Sequence, residues 1–136
     1  MLDTGNFLQA FVAVYLATGA VLAAVLTLGW RRRIRAHIAA VLAFLVGFGV
    51  TVYLAETGGR LFTFDVTART VHLPLAWAGS LSALLPIVTG VRRFRGSGSL
   101  RAHRIAIVTF LVCFVAASGT GAYMLSTRTA RVASGR

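Results

Sequence analysis

Two histidines in a repeated phrase are the residues of this sequence best suited to chemistry. The phrase Arg-Ala-His occupies residues 35–37 and occurs again at residues 101–103. Sliding one copy onto the other by 66 positions gives 8 identities in the 14 positions that start at each arginine. An imidazole nitrogen can ligate a metal or carry a proton near neutral pH. We therefore expect His37 and His103 to lie close to the functional site.

Each of these histidines begins a helical face that continues with aromatic residues. Positions 37, 41, 44 and 48 carry His, Val, Phe and Phe, and positions 103, 107, 110 and 114 carry His, Ile, Phe and Phe. A b-type haem requires two axial imidazoles, flat apolar walls and cations for its propionates. The sequence therefore predicts a haem site with His37 and His103 as axial ligands. Phe44 and Phe110 are its predicted flat walls. Arg35, Arg101 and Arg104 are the predicted cations for the propionates.

Other interpretations of the two histidines remain open. A single copper or zinc ion could take His37 and His103 as metal ligands, although a closed site would need carboxylates or cysteines, which are nearly absent at this end. A histidine beside arginines at a membrane interface also commonly meets lipid headgroups. An aromatic stripe is commonly core, and the repeat could simply descend from a duplication.

The third histidine is predicted to lie on the opposite side of the membrane. His72 begins the third apolar run, whereas His37 and His103 begin the second and the fourth. Because successive helices alternate in direction, a bilayer of about 30 Å separates His72 from the other two. One compact site therefore cannot hold all three. His72 is either a ligand of a second haem or metal, or a capping or interfacial residue.

The elements that must position these residues are four apolar runs. The chain has 136 residues, of which 57% are apolar, and its mean hydropathy is +0.81. Crossing a hydrocarbon core takes about 20 helical residues, and lipid favours helices for such runs. We predict an all-α integral membrane protein, a four-helix bundle in a single transmembrane domain spanning residues 1–136. Its helices are expected at residues 7–30, 37–55, 71–91 and 103–125.

The repeat predicts that this bundle is a duplicated helical hairpin, with two helices in each copy. A five-residue insertion at residues 96–100 accounts for most of the difference between the loops of the two copies. Pro86 is expected to kink the third helix, because it has no N–H to give to the Ser82 carbonyl.

A polar loop at residues 56–70 is expected to join the two hairpins. The run Glu-Thr-Gly-Gly at 56–59 is typical of a helix end. Thr70 is expected to cap the third helix, with Pro74 in its first turn. The amphipathic stretch 61–66 is expected to lie in the membrane interface or against a partner.

The charge distribution indicates membrane topology and not a nucleic-acid partner. The net charge is +11, all fourteen basic residues are arginines, and the acidic residues are Asp3, Glu56 and Asp65. Nine arginines fall in two short loops, at residues 31–35 and 92–104, where the positive-inside rule places them. We expect both loops in the cytoplasm, both termini outside, and a multi-pass protein of the bacterial inner membrane.

Four short motifs stand out in the sequence: Arg35-Ala36-His37 with Tyr53-Leu54, Val71-His72-Leu73, Arg101-Ala102-His103-Arg104, and the ending Gly119-x-Gly121-Ala122-Tyr123-Met124-Leu125. Together, over roughly residues 30–125, they resemble the YozB/CtaM-like family of small four-helix membrane proteins. The resemblance implies a role in the maturation of haem–copper terminal oxidases, next to the respiratory chain. It also implies that the histidines are haem or metal ligands.

Two functions are compatible with these features, and a third is disfavoured. The first is a haem-associated membrane protein of an electron-transfer chain, either an oxidase assembly factor or a small b-type cytochrome. The second is a non-catalytic accessory subunit of a larger respiratory or photosynthetic membrane complex. A transporter or channel is disfavoured, because no charged residue lies within the four apolar runs at residues 7–30, 38–55, 71–91 and 105–125. We expect no enzyme, because the sequence offers no nucleophile with a base, no paired carboxylates and no phosphate loop.

Overall fold

The computed structural model describes residues 4–130, and most of them are helical. The helices are α1 (Thr4–Trp30), α2 (Ile34–Leu61), α3 (Val66–Ser82), α4 (Leu84–Phe94) and α5 (Leu100–Ser126), and the two-residue strands are β1 (Phe62–Thr63) and β2 (Thr129–Ala130). The predicted all-α class is confirmed. Asp3, Arg131, Arg136 and the placement of both termini lie outside the described residues.

Four helical segments are long and apolar enough to cross a membrane. They are α1, α2, the stretch Val66–Phe94 that contains α3 and α4, and α5. The mean hydropathy over 18 residues of each segment is, in the same order, 2.3, 2.4, 1.6 and 2.1. Large apolar side chains such as Trp30, which is 90% exposed, lie on their surfaces. Such apolar surfaces are stable against lipid tails, and the helical backbone needs no partner there because it satisfies its own hydrogen bonds. The chain is a multi-pass membrane protein.

The chain divides into two compact units, each containing one helical hairpin. The first unit includes the chain up to Thr63 and the second includes Phe64–Thr129. The first hairpin is α1 with α2, and the second hairpin is α3 and α4 with α5. The division falls between the two copies of the predicted duplication. The single transmembrane domain at residues 1–136 stays a prediction.

The helices of the first hairpin approach closely at a glycine. Thr18 of α1 is only 4% exposed, and a Cβ atom added to Gly47 of α2 would lie 2.7 Å from its Oγ1 atom. The Thr18 hydroxyl donates to the Val14 carbonyl at 2.8 Å, so its position is fixed within α1. The close approach of the two helices therefore depends on the missing side chain at position 47.

The second hairpin has a matching contact with the glycine on the other helix. A Cβ atom added to Gly79 of α3 would lie 3.6 Å from the Cys113 carbonyl oxygen of α5. A shift of 61 positions relates Thr18 to Gly79, and a shift of 66 relates Gly47 to Cys113. The two shifts differ by five, which is the length of the insertion at 96–100. The predicted duplication is therefore visible as equivalent contacts in the two hairpins.

Helix α2 continues through the residues that were predicted to end it. Gly58 is buried within α2, and a Cβ atom there would lie 3.0 Å from Cε1 of Phe7 in α1. Phe62 also packs on Phe7, with 6.4 Å between the ring centroids. The expected loop at 56–70 is therefore wrong: Gly58 serves helix packing, and the link between α2 and α3 is only residues 62–65. Phe62 in the stretch 61–66 packs on its own unit.

The start of α3 also differs from the sequence expectation. Asp65 caps it, because its side-chain oxygen accepts from the Ala68 N–H at 2.9 Å. Thr70 therefore lies inside the helix, where its hydroxyl donates to the Val66 carbonyl at 2.8 Å. Pro74 lies well within α3 and not in its first turn.

The third membrane segment is interrupted near its middle. Helix α3 ends at Ser82 and α4 begins at Leu84, with Ala83 between them. Pro86 is the third residue of α4, so the helix is interrupted at Ala83, three residues before the proline that is predicted to kink it. The buried Ser82 hydroxyl donates to the Gly79 carbonyl at 2.9 Å, which satisfies its own polar atom at the break.

Candidate functional site

His37 is held against α1 by a hydrogen bond of one ring nitrogen and by packing of the ring. The half-buried side chain places Nδ1 2.9 Å from the Val25 carbonyl oxygen. The ring lies against Gly29, where an added Cβ atom would be 3.1 Å from both Nδ1 and Cε1. A carbonyl oxygen can only accept, so Nδ1 carries the proton. In the neutral imidazole Nε2 then holds the lone pair.

His103 is held in the same way against α4, through a hydroxyl. Its Nδ1 lies 3.0 Å from Oγ1 of Thr89, and a Cβ atom added to Gly90 would be 3.3 Å from Cε1 of the ring. The Thr89 hydroxyl donates its hydrogen to the Leu85 carbonyl at 2.7 Å. It therefore accepts from His103 Nδ1–H, and Nε2 again holds the lone pair in the neutral ring.

His72 repeats the arrangement between α3 and α5. Its Nδ1 lies 3.1 Å from Oγ1 of Thr120, and a Cβ atom added to Gly121 would be 3.0 Å from Cε1 of the ring. The Thr120 hydroxyl donates to the Ala116 carbonyl at 2.9 Å. This hydroxyl also accepts from a histidine Nδ1–H, so all three histidines share one neutral tautomer.

A histidine prepared in this way is suited to ligation. Metals and haem iron bind the nitrogen that holds the lone pair, and a hydrogen bond at the other nitrogen fixes the tautomer and the orientation of the ring. The neighbouring glycine lets each ring lie flat against the next helix. Each hairpin thus carries an oriented Nε2 donor near the helix end that follows its arginine loop.

Two of the histidines lie at opposite ends of the second hairpin. His72 contacts Thr120, which follows His103 by 17 residues on α5. At 1.5 Å per residue this separates them by about 25 Å along the helix. His72 and His103 therefore cannot ligate the same group.

The three arginines predicted to neutralise propionates are exposed beside the histidines. Arg35 and Arg101 lie two residues before His37 and His103, and Arg104 directly follows His103. All three side chains are exposed, so their guanidinium groups are accessible to anions. They suit a carboxylate or phosphate better than a buried ion pair.

The two phenylalanines predicted as flat walls are buried instead. Phe44 is 6% and Phe110 is 3% exposed. Each packs on the next phenylalanine of its helix, with 5.6 Å between the ring centroids in both pairs; Phe44–Phe48 is stacked and Phe110–Phe114 is tilted. So little surface remains that neither ring presents an open wall. Their direct role is core packing, which supports the helices that carry the histidines.

The described part of the chain offers no ready-made metal cage. Within residues 4–130, no three His, Cys, Asp or Glu side chains come together in a group that could hold a metal ion. The donor set at each histidine is a single imidazole. Such a set fits axial ligation of haem, in which the porphyrin supplies the remaining nitrogens.

The residues that hold the histidines were missed by the sequence reasoning. Val25 acts through its backbone carbonyl, which no side-chain motif reveals. Thr89 looked like any threonine of an apolar helix. The readable signal was glycine: Gly29 and Gly90 correspond under the same 61-position shift that relates α1 to α3 and α4.

Comparisons with known proteins add no family to this geometry. No family model matches the chain, and no curated protein and no solved structure matches it. The resemblance to the YozB/CtaM-like proteins therefore remains a prediction from the motifs alone.

Proposed function

We propose that this protein is a haem-associated membrane protein of an electron-transfer chain, which binds b-type haem through His37 and His103. The observation that carries the proposal is the matching set of Nδ1 hydrogen bonds in the two hairpins. Each bond leaves Nε2 as the donor nitrogen and fixes the ring by contact with a glycine. This is the support that a ligating histidine requires.

The surrounding residues fit this role in part. A bound haem would supply one-electron transfer, and Arg35, Arg101 and Arg104 would pair with its propionates. Phe44 and Phe110 would contribute by fixing the helices and not by contacting the ring faces. The chain's own residues thus bind and orient the group, and we propose no enzymatic activity beyond it.

We propose further that the protein works beside a larger respiratory complex in the bacterial inner membrane. The arginine loops would face the cytoplasm, following the positive-inside rule. The resemblance to the YozB/CtaM-like family favours a terminal oxidase as partner and assembly of that oxidase as the task. A small b-type cytochrome is the other form of the same proposal.

The visible spectrum of the purified protein tests the haem proposal. Protein extracted in mild detergent should show a Soret band, and reduction should sharpen its α band as in other bis-histidine haems. His37→Ala and His103→Ala should each remove at least half of the Soret absorbance per protein. His72→Ala is the matched control, since its ring is held in the same way about 25 Å from His103, and it should leave the spectrum unchanged.

Three results would overturn the proposal. A protein that stays colourless after incubation with haemin excludes it. A colourless protein that co-purifies in fixed ratio with a large membrane complex favours the accessory-subunit function instead. Retention of the full Soret band in both histidine variants would place any haem elsewhere.

A further inference from the structure

The connection between α4 and α5, with the adjoining helix ends, carries five positive charges, and the second hairpin has no carboxylate at this end. We call residues 92–104 the second arginine loop; its arginines are Arg92, Arg93, Arg95, Arg101 and Arg104. The only acidic residue of the second hairpin is Asp65, which caps the opposite end of α3. Repulsion among these guanidinium groups is therefore unrelieved inside the hairpin, and an external anion at this end lowers it.

The inserted residues fold this loop back onto the end of α4. The backbone N–H and the hydroxyl of Ser97 both donate to the Arg92 carbonyl, at 2.9 and 3.1 Å. A Cβ atom added to Gly98 would lie 2.7 Å from the Arg93 backbone nitrogen, so only glycine fits there. The fold forms a half-open cavity of about 240 Å³, lined by Thr89, Arg92, Ser97, Gly98, Ser99 and Ala102.

The groups around this cavity are suited to a phosphate. Arg92 supplies a guanidinium that can bind two phosphate oxygens. The Ser99 oxygen accepts from the Ala102 N–H at 3.0 Å, which leaves the hydroxyl hydrogen available to donate to a ligand. A cation, a hydroxyl donor and an accessible cavity together match an anionic oxygen group.

The source of that phosphate is indicated by the position of the loop. Both α4 and α5 belong to membrane-spanning segments, so their joined ends lie at headgroup depth. Phe94, the last residue of α4, is 75% exposed, as expected of an aromatic anchor in the interface. We propose that the cavity binds the headgroup of an anionic phospholipid, with Arg92 as the principal contact. This proposal does not depend on haem binding.

The two arginine loops provide an internal control. The first arginine loop, residues 31–35, carries four arginines but lacks the five-residue insertion and therefore any counterpart of Gly98. A general attraction of arginines to an anionic surface would act on both loops. A headgroup site built by the insertion would act only on the second.

Lipid retention by the full chain tests the proposal. The protein is placed in nanodiscs of phosphatidylcholine with one fifth phosphatidylglycerol, extracted in mild detergent, and the retained lipid is counted by native mass spectrometry. We expect one phosphatidylglycerol per protein. Arg92→Gln should weaken its retention about tenfold, as expected for the loss of a hydrogen bond between charged groups, whereas Arg31→Gln should have little effect. Gly98→Ala should weaken retention at least as much, and Gly49→Ala, where an added Cβ meets nothing within 4 Å, should not.

Each alternative outcome contradicts the headgroup site. Equal losses for Arg92→Gln and Arg31→Gln would mean that only surface charge attracts the lipid. Equal retention of phosphatidylcholine would mean that no anion is recognised. Displacement of the lipid by millimolar inorganic phosphate would assign the cavity to free phosphate. Because Arg92 is exposed, its variant is expected to keep its helicity by circular dichroism and remains informative if Gly98→Ala fails to fold.

Discussion

In the first hairpin the Thr18 side chain of α1 fills the space left by Gly47 of α2. In the second hairpin the glycine is Gly79 of α3, and it faces the Cys113 backbone carbonyl and the Ala117 side chain of α5. The glycine of the crossing thus lies on opposite helices in the two hairpins. The comparison teaches that either helix can supply the glycine that lets the two backbones approach closely.

The histidines show a second difference of the same kind. In the first hairpin a backbone carbonyl, that of Val25, accepts from the ring, whereas in the second a side-chain hydroxyl, that of Thr89, does so. The carbonyl is present whatever residue occupies position 25. The hydroxyl can be removed by a single substitution, so the two histidines differ in how easily their support is lost.

The largest effect is expected from filling the glycine of the first crossing. Gly47→Ala would bring a Cβ atom to 2.7 Å from the Thr18 hydroxyl. The crowding should lower the free energy of unfolding by about 2 kcal/mol, as overpacking does elsewhere. Gly79→Ala meets its nearest atom at 3.6 Å and should cost less than about 0.5 kcal/mol. Unfolding in a denaturing-detergent titration measures both.

A double substitution sharpens this comparison. Thr18→Gly with Gly47→Cys copies the second hairpin into the first and should restore most of the stability lost in Gly47→Ala. If Gly47→Ala and Gly79→Ala cost the same, or if the double variant is no better than Gly47→Ala, crowding of Thr18 at position 47 is not what distinguishes the two crossings.

A smaller effect is expected from removing the hydroxyl that supports His103. Thr89→Val keeps the shape but leaves the ring Nδ1–H without its acceptor, which should cost about 1–2 kcal/mol. In ¹⁵N NMR of histidine-labelled protein, His103 should lose its preference for the Nδ1–H tautomer while His37 keeps it.

Thr27→Val is the matched control for this substitution. The Thr27 hydroxyl is exposed and donates only to the Ala23 carbonyl of its own helix at 2.8 Å. The variant should leave the signals of His37 and His103 in place. An unchanged His103 tautomer in Thr89→Val would show that the threonine is not what orients the ring.

The smallest effect is expected at the starts of the second helix of each hairpin. Ser99 caps α5 by accepting from the Ala102 N–H, whereas Arg33 stands at the same place before α2 and makes no side-chain cap. Ser99→Ala should therefore cost about 1 kcal/mol, and Arg33→Ala close to nothing. Melting temperatures in lipid-free detergent separate the two, and equal shifts would contradict the capping difference.

Much of the fold was predictable because hydrophobicity and repetition are properties of the sequence. Long apolar runs require helices in lipid, and the identities around His37 and His103 indicated two hairpins with a five-residue insertion. The end of α2 was not predictable. Gly58 has the residue type of a terminator, and only its contact with Phe7, some fifty residues earlier, shows that it is a packing glycine.

The site was predictable in its residues but not in its geometry. The histidines and arginines follow from the repeated phrase. The tautomer depends on which atom of the adjacent helix faces the ring, and that is set by the rotation of α1 or α4. The burial of Phe44 and Phe110 has the same origin, since a stripe on a helix does not reveal which neighbour covers it.

The break at Ala83 makes the two histidine supports mechanically unequal. In the first hairpin, Val25 and Gly29 belong to an unbroken helix of 27 residues, which resists bending along its whole length. In the second, Thr89 and Gly90 belong to α4, a helix of 11 residues that is joined to α3 through one residue. We therefore expect bending of this segment to be concentrated at Ala83. A force on the loop after Phe94 would therefore tilt α4 and move the Thr89 and Gly90 contacts of His103. The same force would leave the Val25 and Gly29 contacts of His37 in place.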